Sequence, residues 1–143
     1  MMLDAALYVT RLEKNTRTLR SVRSALSLDY AMTQAPSQSG ACFVVPMRDW
    51  ATGPQGIGVG RTHNAQTGIL ILVSDADPSG SGSLTRLAEH RTDIESAIER
   101  WVPAAGWSPT LWQEGRLAAI GDGRIWWLDI YQTQTGRSIT ANP

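Results

Sequence analysis

The chain reads as an α+β protein: a mostly antiparallel sheet with a long helix packed on one face and a shorter N-terminal helix. Three segments carry that reading. Ile69-Leu70-Ile71-Leu72-Val73 is apolar at every residue, so a strand here is buried on both faces and is central in its sheet. Leu84, Leu87, Ile94, Ile98 and Trp101 recur at helical spacing, with Ala88 and Ala97 beside them and charged residues over much of the remaining surface. Leu111–Ile120 and Arg124–Thr135 form a β-hairpin turned at Gly121-Asp122-Gly123. Runs of strands broken by one helix suggest a sheet with that helix laid on it. One domain over residues 1–143 is expected; a chain of that size buries roughly 68–70% of its unfolded surface and folds without disulfide or metal.

Taken in order, residues 3–14 read as the first helix, with Leu3, Leu7 and either Val9 or Thr10 on its inner side. In residues 18–32, Leu19 and Val22 suit a short strand, and Ser24 to Met32 a second short helix. Residues 34–40 are a loop rich in turn formers. Ala41 to Met47 is an apolar strand, with Pro46 placed for an edge or an exit. Asp49 to Gly60, with Gly53, Pro54, Gly56 and Gly58 inside and Gly60 closing it, predicts a mobile excursion. Arg61 to Thr67 is polar and extends the Ile69–Val73 strand past the body, as an arm without partners in its own chain. Asp75 to Ser83 is a flexible turn, and Ser83 suits the cap of the long helix. Pro103 and Gly106 lie beyond that helix and stop it.

The last strand carries Trp126 and Trp127 side by side. Neighbours in a strand point to opposite faces. Trp126, Leu128 and Ile130 therefore share one face, and Ile125, Trp127 and Tyr131 the other. Both faces need cover, from the chain's own helices or from another subunit, which points to an assembly part.

Composition narrows the possibilities. Thirteen basic and thirteen acidic residues give no net charge, so nothing marks the chain for nucleic acid or an anionic membrane. Twelve of the thirteen basic residues are arginine, which suits interface ion pairs, although a GC-rich coding sequence produces the same bias. The single Cys42, inside an apolar run, excludes an intrachain disulfide and a cysteine zinc cluster. The N-terminus has no basic region followed by an apolar run, so no secretory signal is expected. No stretch approaches the roughly 18 apolar residues that span a bilayer.

Catalytic groups are scarce. His90, beside Glu89 and Arg91, reads as a solvated helix-surface residue, and His63 stands alone in a polar strand segment. Gly56-Ile57-Gly58-Val59-Gly60 lacks the Lys and Ser/Thr of a phosphate loop and precedes a strand. Asp75 and Asp77 are common turn residues. Trp101, Trp107 and Trp112 suit closing a helix against the sheet better than stacking on bases or sugars. No catalytic, cofactor-binding or metal-binding residue is assigned.

One block is more specific. A helix ending in Trp101, then Trp107-Ser108-Pro109, Leu111, Gly115-Arg116-Leu117, Asp122-Gly123, Ile125-Trp126-Trp127-Leu128-Asp129 and a polar strand reaching Arg137 resembles the tail terminator proteins of contractile-tailed, Mu-like phages and prophages. Phe43-Val44-Val45-Pro46 followed by a glycine-rich loop fits the same pattern. The resemblance covers roughly residues 3–138 and is loosest before residue 33. It implies a lambda-type, tail-terminator-like α+β subunit without a catalytic centre. Such subunits form a homohexameric ring on the last ring of the tail tube, stop its polymerisation and offer a head-joining surface. It further implies a tail tube protein and a head-completion or connector protein as partners, no membrane, and DNA threaded through the ring's opening without sequence-specific binding. The location implied is the virion tail, after assembly in the host cytoplasm. Arg61, His63, Asn64 and Gln66 of the arm are expected to contact the adjacent subunit, with Trp127 and Tyr131 on a face covered by a helix or by that neighbour. The alternatives are a single-stranded nucleic-acid-binding module, which zero net charge disfavours, and a small α+β enzyme with an unseen site.

Overall fold

Ile69–Val73 lies in the middle of a five-stranded sheet of order β1-β2-β3-β5-β4. The strands of this computed structural model are β1 (Ser21–Ser24), β2 (Ala41–Thr52), β3 (Gly60–Ser74), β4 (Leu111–Gly121) and β5 (Arg124–Ser138). Its helices are α1 (Ala5–Asn15), α2 (Leu28–Thr33) and α3 (Ser81–Ile98). The structure describes residues 3–34, 38–53, 60–74 and 81–138. The glycine-rich residues 56–59 and the turn residues 75–80, with Asp75 and Asp77, lie outside them.

The sheet is mixed where a mostly antiparallel one was expected. β2–β3, β3–β5 and β4–β5 are antiparallel, but β1 runs parallel to β2. The cause is the connection. Between Ser24 and Ala41 the chain carries α2 across one face and re-enters the sheet in the same direction, as a parallel crossover requires. α2 therefore lies opposite α1 and α3, and the sheet has helices on both faces.

Each layer has its own core. Against α1 and α3 pack Cys42, Val44, Ile69, Ile71, Val73 and Tyr131, joined by Tyr8 and Leu12 of α1 and Leu87, Ile94 and Ile98 of α3. Against α2 pack Phe43, Val45, Leu70, Leu72, Trp126, Leu128 and Ile130, with Ala31 of the helix. Ile69 to Val73 are fully buried. At about 1.5–3 kcal/mol for each large aliphatic side chain taken out of water, this run is the largest local contribution to stability.

The α1 stripe is rotated from the expected one, whereas the α3 stripe keeps Leu87, Ile94 and Ile98 as expected and departs at Leu84. In α1 the inner residues are Tyr8 and Leu12, while Leu7 faces solvent. In α3 they are Ser83, Leu87, His90, Ile94, Ala97 and Ile98, while Leu84 is exposed. Ser83 is thus inside the helix, buried, and does not cap it. α1 is capped by Asp4, whose carboxylate accepts the Ala6 N–H at 2.9 Å. The β4–β5 turn has positive φ at Asp122 (52°) and Gly123 (71°), the geometry of a two-residue type I′ hairpin.

The polar half of β3 is not a free arm. It pairs with β2 as far as Thr52 on one side and with β5 as far as Ser138 on the other. β2 continues through Asp49–Thr52, where an excursion was expected. Pro46 sits beyond the last β1–β2 pair, at Val44, where the outer side of β2 has no strand neighbour among the described residues.

Candidate assembly surface

Trp126 and Trp127 do point to opposite faces, and the chain covers both. Trp126 is buried beside Phe43, ring centroids 6.1 Å apart. Trp127 lies under α3, with the Arg91 guanidinium 4.8 Å above its ring. Within the chain that cover comes from α3 and leaves Trp127 half-buried. The adjacent tryptophans therefore leave no apolar sheet centre uncovered.

Trp127, Asp129 and Gly115 instead build a polar knot that pins the hairpin to α3. Residues 127 and 129 share a face of β5 because they are two apart. Asp129, 2% exposed, accepts from Arg91 Nε on Oδ2 at 2.9 Å and from Arg91 Nη2 on Oδ1 at 3.0 Å. Its Oδ1 also accepts the indole N–H of Trp112 at 3.0 Å and of Trp127 at 3.1 Å. A buried carboxylate is tolerable only when its oxygens are satisfied in this way. The hydrogen bond to Asp129 holds the Arg91 pKa above its ordinary value. Gly115 pairs with Asp129 across the hairpin. A β-carbon there would fall on the Asp129 carboxylate and within 3.1 Å of Arg91 Nη2. The sequence block around Gly115 and Trp127–Asp129 is thus a structural fastening. Its residue spacing was visible, but α3 as the partner was not.

Both histidines are also structural. His90 is buried, contrary to the solvated reading, with Nδ1 2.9 Å from Thr18 Oγ1. Thr18 Oγ1 donates its one hydrogen to Asp93 Oδ2 at 2.8 Å, so His90 Nδ1 carries the hydrogen between them. Asp93 Oδ2 also takes the Arg17 and Thr18 N–H groups, which ties the α1–β1 connection to α3. Burial lowers the His90 pKa, and Glu89 and Asp93 oppose the shift. His63 is buried against Trp107, ring centroids 5.5 Å apart, with Nε2 3.5 Å from Asp49 Oδ1. Trp101 stacks edge-on to Tyr8 at 5.2 Å. Trp107, bridged to Thr135, closes on the sheet as expected, while Trp101 packs on α1 and Trp112 lies exposed on β4. Burial pushes the Cys42 thiol up to about 12, far from a nucleophile's range. Among the described residues no three His, Cys, Asp or Glu side chains are grouped to hold a metal. No helix among them is long and apolar enough to cross a membrane.

The expected contact residues separate by burial. Asn64 is buried, with its amide toward Trp50 O and Thr52 Oγ1 at 3.4 and 3.2 Å. His63 is buried as described. Arg61 and Gln66 are half-buried, and Tyr131 is buried beside a cleft under α3.

Exposed apolar surface lies at the sheet edges, where sequence periodicity gave no warning. β4 has no strand on its outer side among the described residues, and Leu111, Trp112, Leu117 and Ile120 are exposed along it, Ile120 at 70%. At the β1 edge Leu26 and Tyr30 are exposed beside a cleft of about 830 Å3 that Leu3, Ala25 and Pro46 also line. The two edges differ in length and chemistry.

The polar groups around Asp129 and Asp93 fasten one element to another. The chain belongs to the phage tail terminator protein family, whose model matches residues 1–141. It is accordingly a structural tail protein. No curated protein sequence matches it. Among solved structures, a chain from the virion of a native gene transfer agent particle is similar, with a TM-score of 0.62 over 93% of this chain and 94% of that one. At 8% identity that likeness establishes the fold alone.

Proposed function

We propose that this protein forms the ring that caps a phage tail tube, ending tube polymerisation and offering the surface to which the head-completion or connector protein joins. Family membership over nearly the whole chain supports the place in the tail. The observation that carries self-association is β4, an eleven-residue edge strand exposed on both faces and along its outer side. An edge of that length is a template for pairing. Two bulges, at Trp112/Glu114 and Leu117/Ala119, and the charges of Glu114 and Arg116 restrict which partner fits.

Two unlike edges suit a head-to-tail contact, which closes into a ring when the rotation permits. Six copies is the number the family resemblance implies. The polar sheet extension meets the neighbouring subunit through the half-buried Arg61 and Gln66, with the buried His63 and Asn64 behind them. The completed particle lies at the virion tail, with assembly in the host cytoplasm, and DNA passes through the opening.

Negative-stain microscopy and sedimentation of the purified protein test the reading. Rings that bind the ends of tail tubes are expected. A monomer at high concentration that leaves tube length unchanged refutes it.

A further inference from the structure

Beside the Asp129 knot, α3, β4 and β5 enclose a cleft of about 430 Å3 with acidic walls. Arg91 and Glu95 lie four residues apart on α3, and Glu99 follows at the same interval just past its end. The Arg91 charge is already paired with Asp129. Glu99 Oε2 accepts the Trp112 N–H at 2.8 Å, while Glu95 is exposed and has no hydrogen-bond or ion-pair partner among the described residues. Tyr131 lines the floor. It is 2% exposed, yet its hydroxyl has no hydrogen-bond partner among the described residues. Burial first, then the charges of Asp129, Glu95 and Glu99, raise its pKa and keep the phenol neutral. Tyr131 is almost wholly buried, but its hydroxyl is not among the fully enclosed polar atoms and opens on the cleft. An unpartnered phenol oxygen at an acidic opening is a place for a hydrogen-bond donor that carries positive charge.

The chain holds the complementary group on its other side. Arg17, Arg20 and Arg23 are exposed on or just before β1, at the sheet edge opposite β4. Arg23 lies within β1 and has no ion-pair partner among the described residues. Three strands separate β1 from β4, so one copy cannot bring its own Arg23 to its own cleft.

We propose that the cleft between α3 and β4 is the socket for an arginine of the adjacent subunit, Arg23 at its β1 edge, making one contact of the head-to-tail ring. The inference rests on the ring reading above and adds which surfaces meet. The guanidinium enters between Glu95 and Glu99 and donates to the Tyr131 hydroxyl oxygen. Arginine suits the site because its planar fork serves more than one acceptor.

Single variants Glu95→Cys and Arg23→Cys, mixed and treated with a short bismaleimide, test the contact. A paired Arg and Glu hold their Cα atoms too far apart for a direct disulfide, and the native Cys42 is buried and unreactive. The mixture should give a cross-linked dimer that neither variant gives alone. Separately, Glu95→Gln with Glu99→Gln should raise the concentration needed for assembly about tenfold or more. Wild-type rings that persist without a mixed cross-link, or a double Gln variant that assembles like wild type, overturn the socket and leave the ring reading intact. A cross-link within either single variant also overturns it, because like surfaces would then be meeting. A wild-type protein that never forms rings removes both.

Discussion

Asp129 is the residue on which most of the hairpin's polar contacts converge. Replacing it by alanine leaves two indole N–H groups and a guanidinium without an acceptor. Breaking a buried pair from one side costs about 3–5 kcal/mol, and a loss near the lower figure is expected for Asp129→Ala, because Arg91 is itself partly exposed. Urea unfolding measures it. His90 gives a pH dependence whose sign is fixed by its lowered pKa. The unfolded chain takes up the proton first as pH falls below about 6.5. Unfolding free energy should therefore decline below that pH and level off once the folded imidazole is also protonated. His90→Gln should remove that part of the slope. At this scale the sequence was only partly legible. Glu89 and Arg91 on either side made His90 look solvated, yet residues one position apart on a helix face directions about 100° apart. Counting four back from Ile94 gives His90, on the buried stripe. The apolar neighbours Leu7 and Leu84 misled for the same reason, since each stripe was drawn through them and not through Tyr8 and Ser83.

Among the elements, the strands separate by how completely they are enclosed. Gly115 and Gly68 show the difference. A methyl at Gly115 meets the fixed Asp129 carboxylate, whereas at Gly68 it meets the free ends of Leu128 and Met47, at 2.9 Å each. Gly115→Ala should therefore cost about 1–3 kcal/mol and loosen the hairpin from α3, while Gly68→Ala should cost less. Thermal melts compare them. β4 has the opposite character. Leu117→Ser with Ile120→Ser should shift monomer stability by no more than about 0.5 kcal/mol per site but block assembly, as sedimentation would show. The hairpin was readable because Asp-Gly between two alternating runs is a strong local signal. The polar segment 61–67 was not. Polar residues that alternate across a sheet look the same in sequence whether their strand is paired or free. The partners lie far away in β2 and β5, and α3's hold on the hairpin depends on a contact to β5 that is 38 residues distant.

Over the whole molecule, the assembly argument moved from the sheet centre to its edges. Central burial was legible because the Ile69–Val73 run leaves no alternative. The parallel β1 was not, because a four-residue strand carries almost no periodicity. If charge complementarity joins the copies, assembly should weaken with salt. Raising ionic strength from about 0.1 to 1 M shortens the screening length from roughly 10 to 3 Å, and the weight-average mass in sedimentation should fall accordingly. An unchanged mass would mean that apolar burial alone joins them.

The β3–β5 ladder runs from Gly60↔Ser138 to Ser74↔Arg124 without a register break, whereas β2 and β4 each carry bulges. Fifteen rungs at about 3.4 Å make a strut of roughly 50 Å. Shear along its axis strains every rung at once, while the bulged flanks can flex. A push on the Asp122-Gly123 tip is therefore delivered to the opposite end of the subunit with little lost to bending, a mechanical stiffness suited to a structural tail protein.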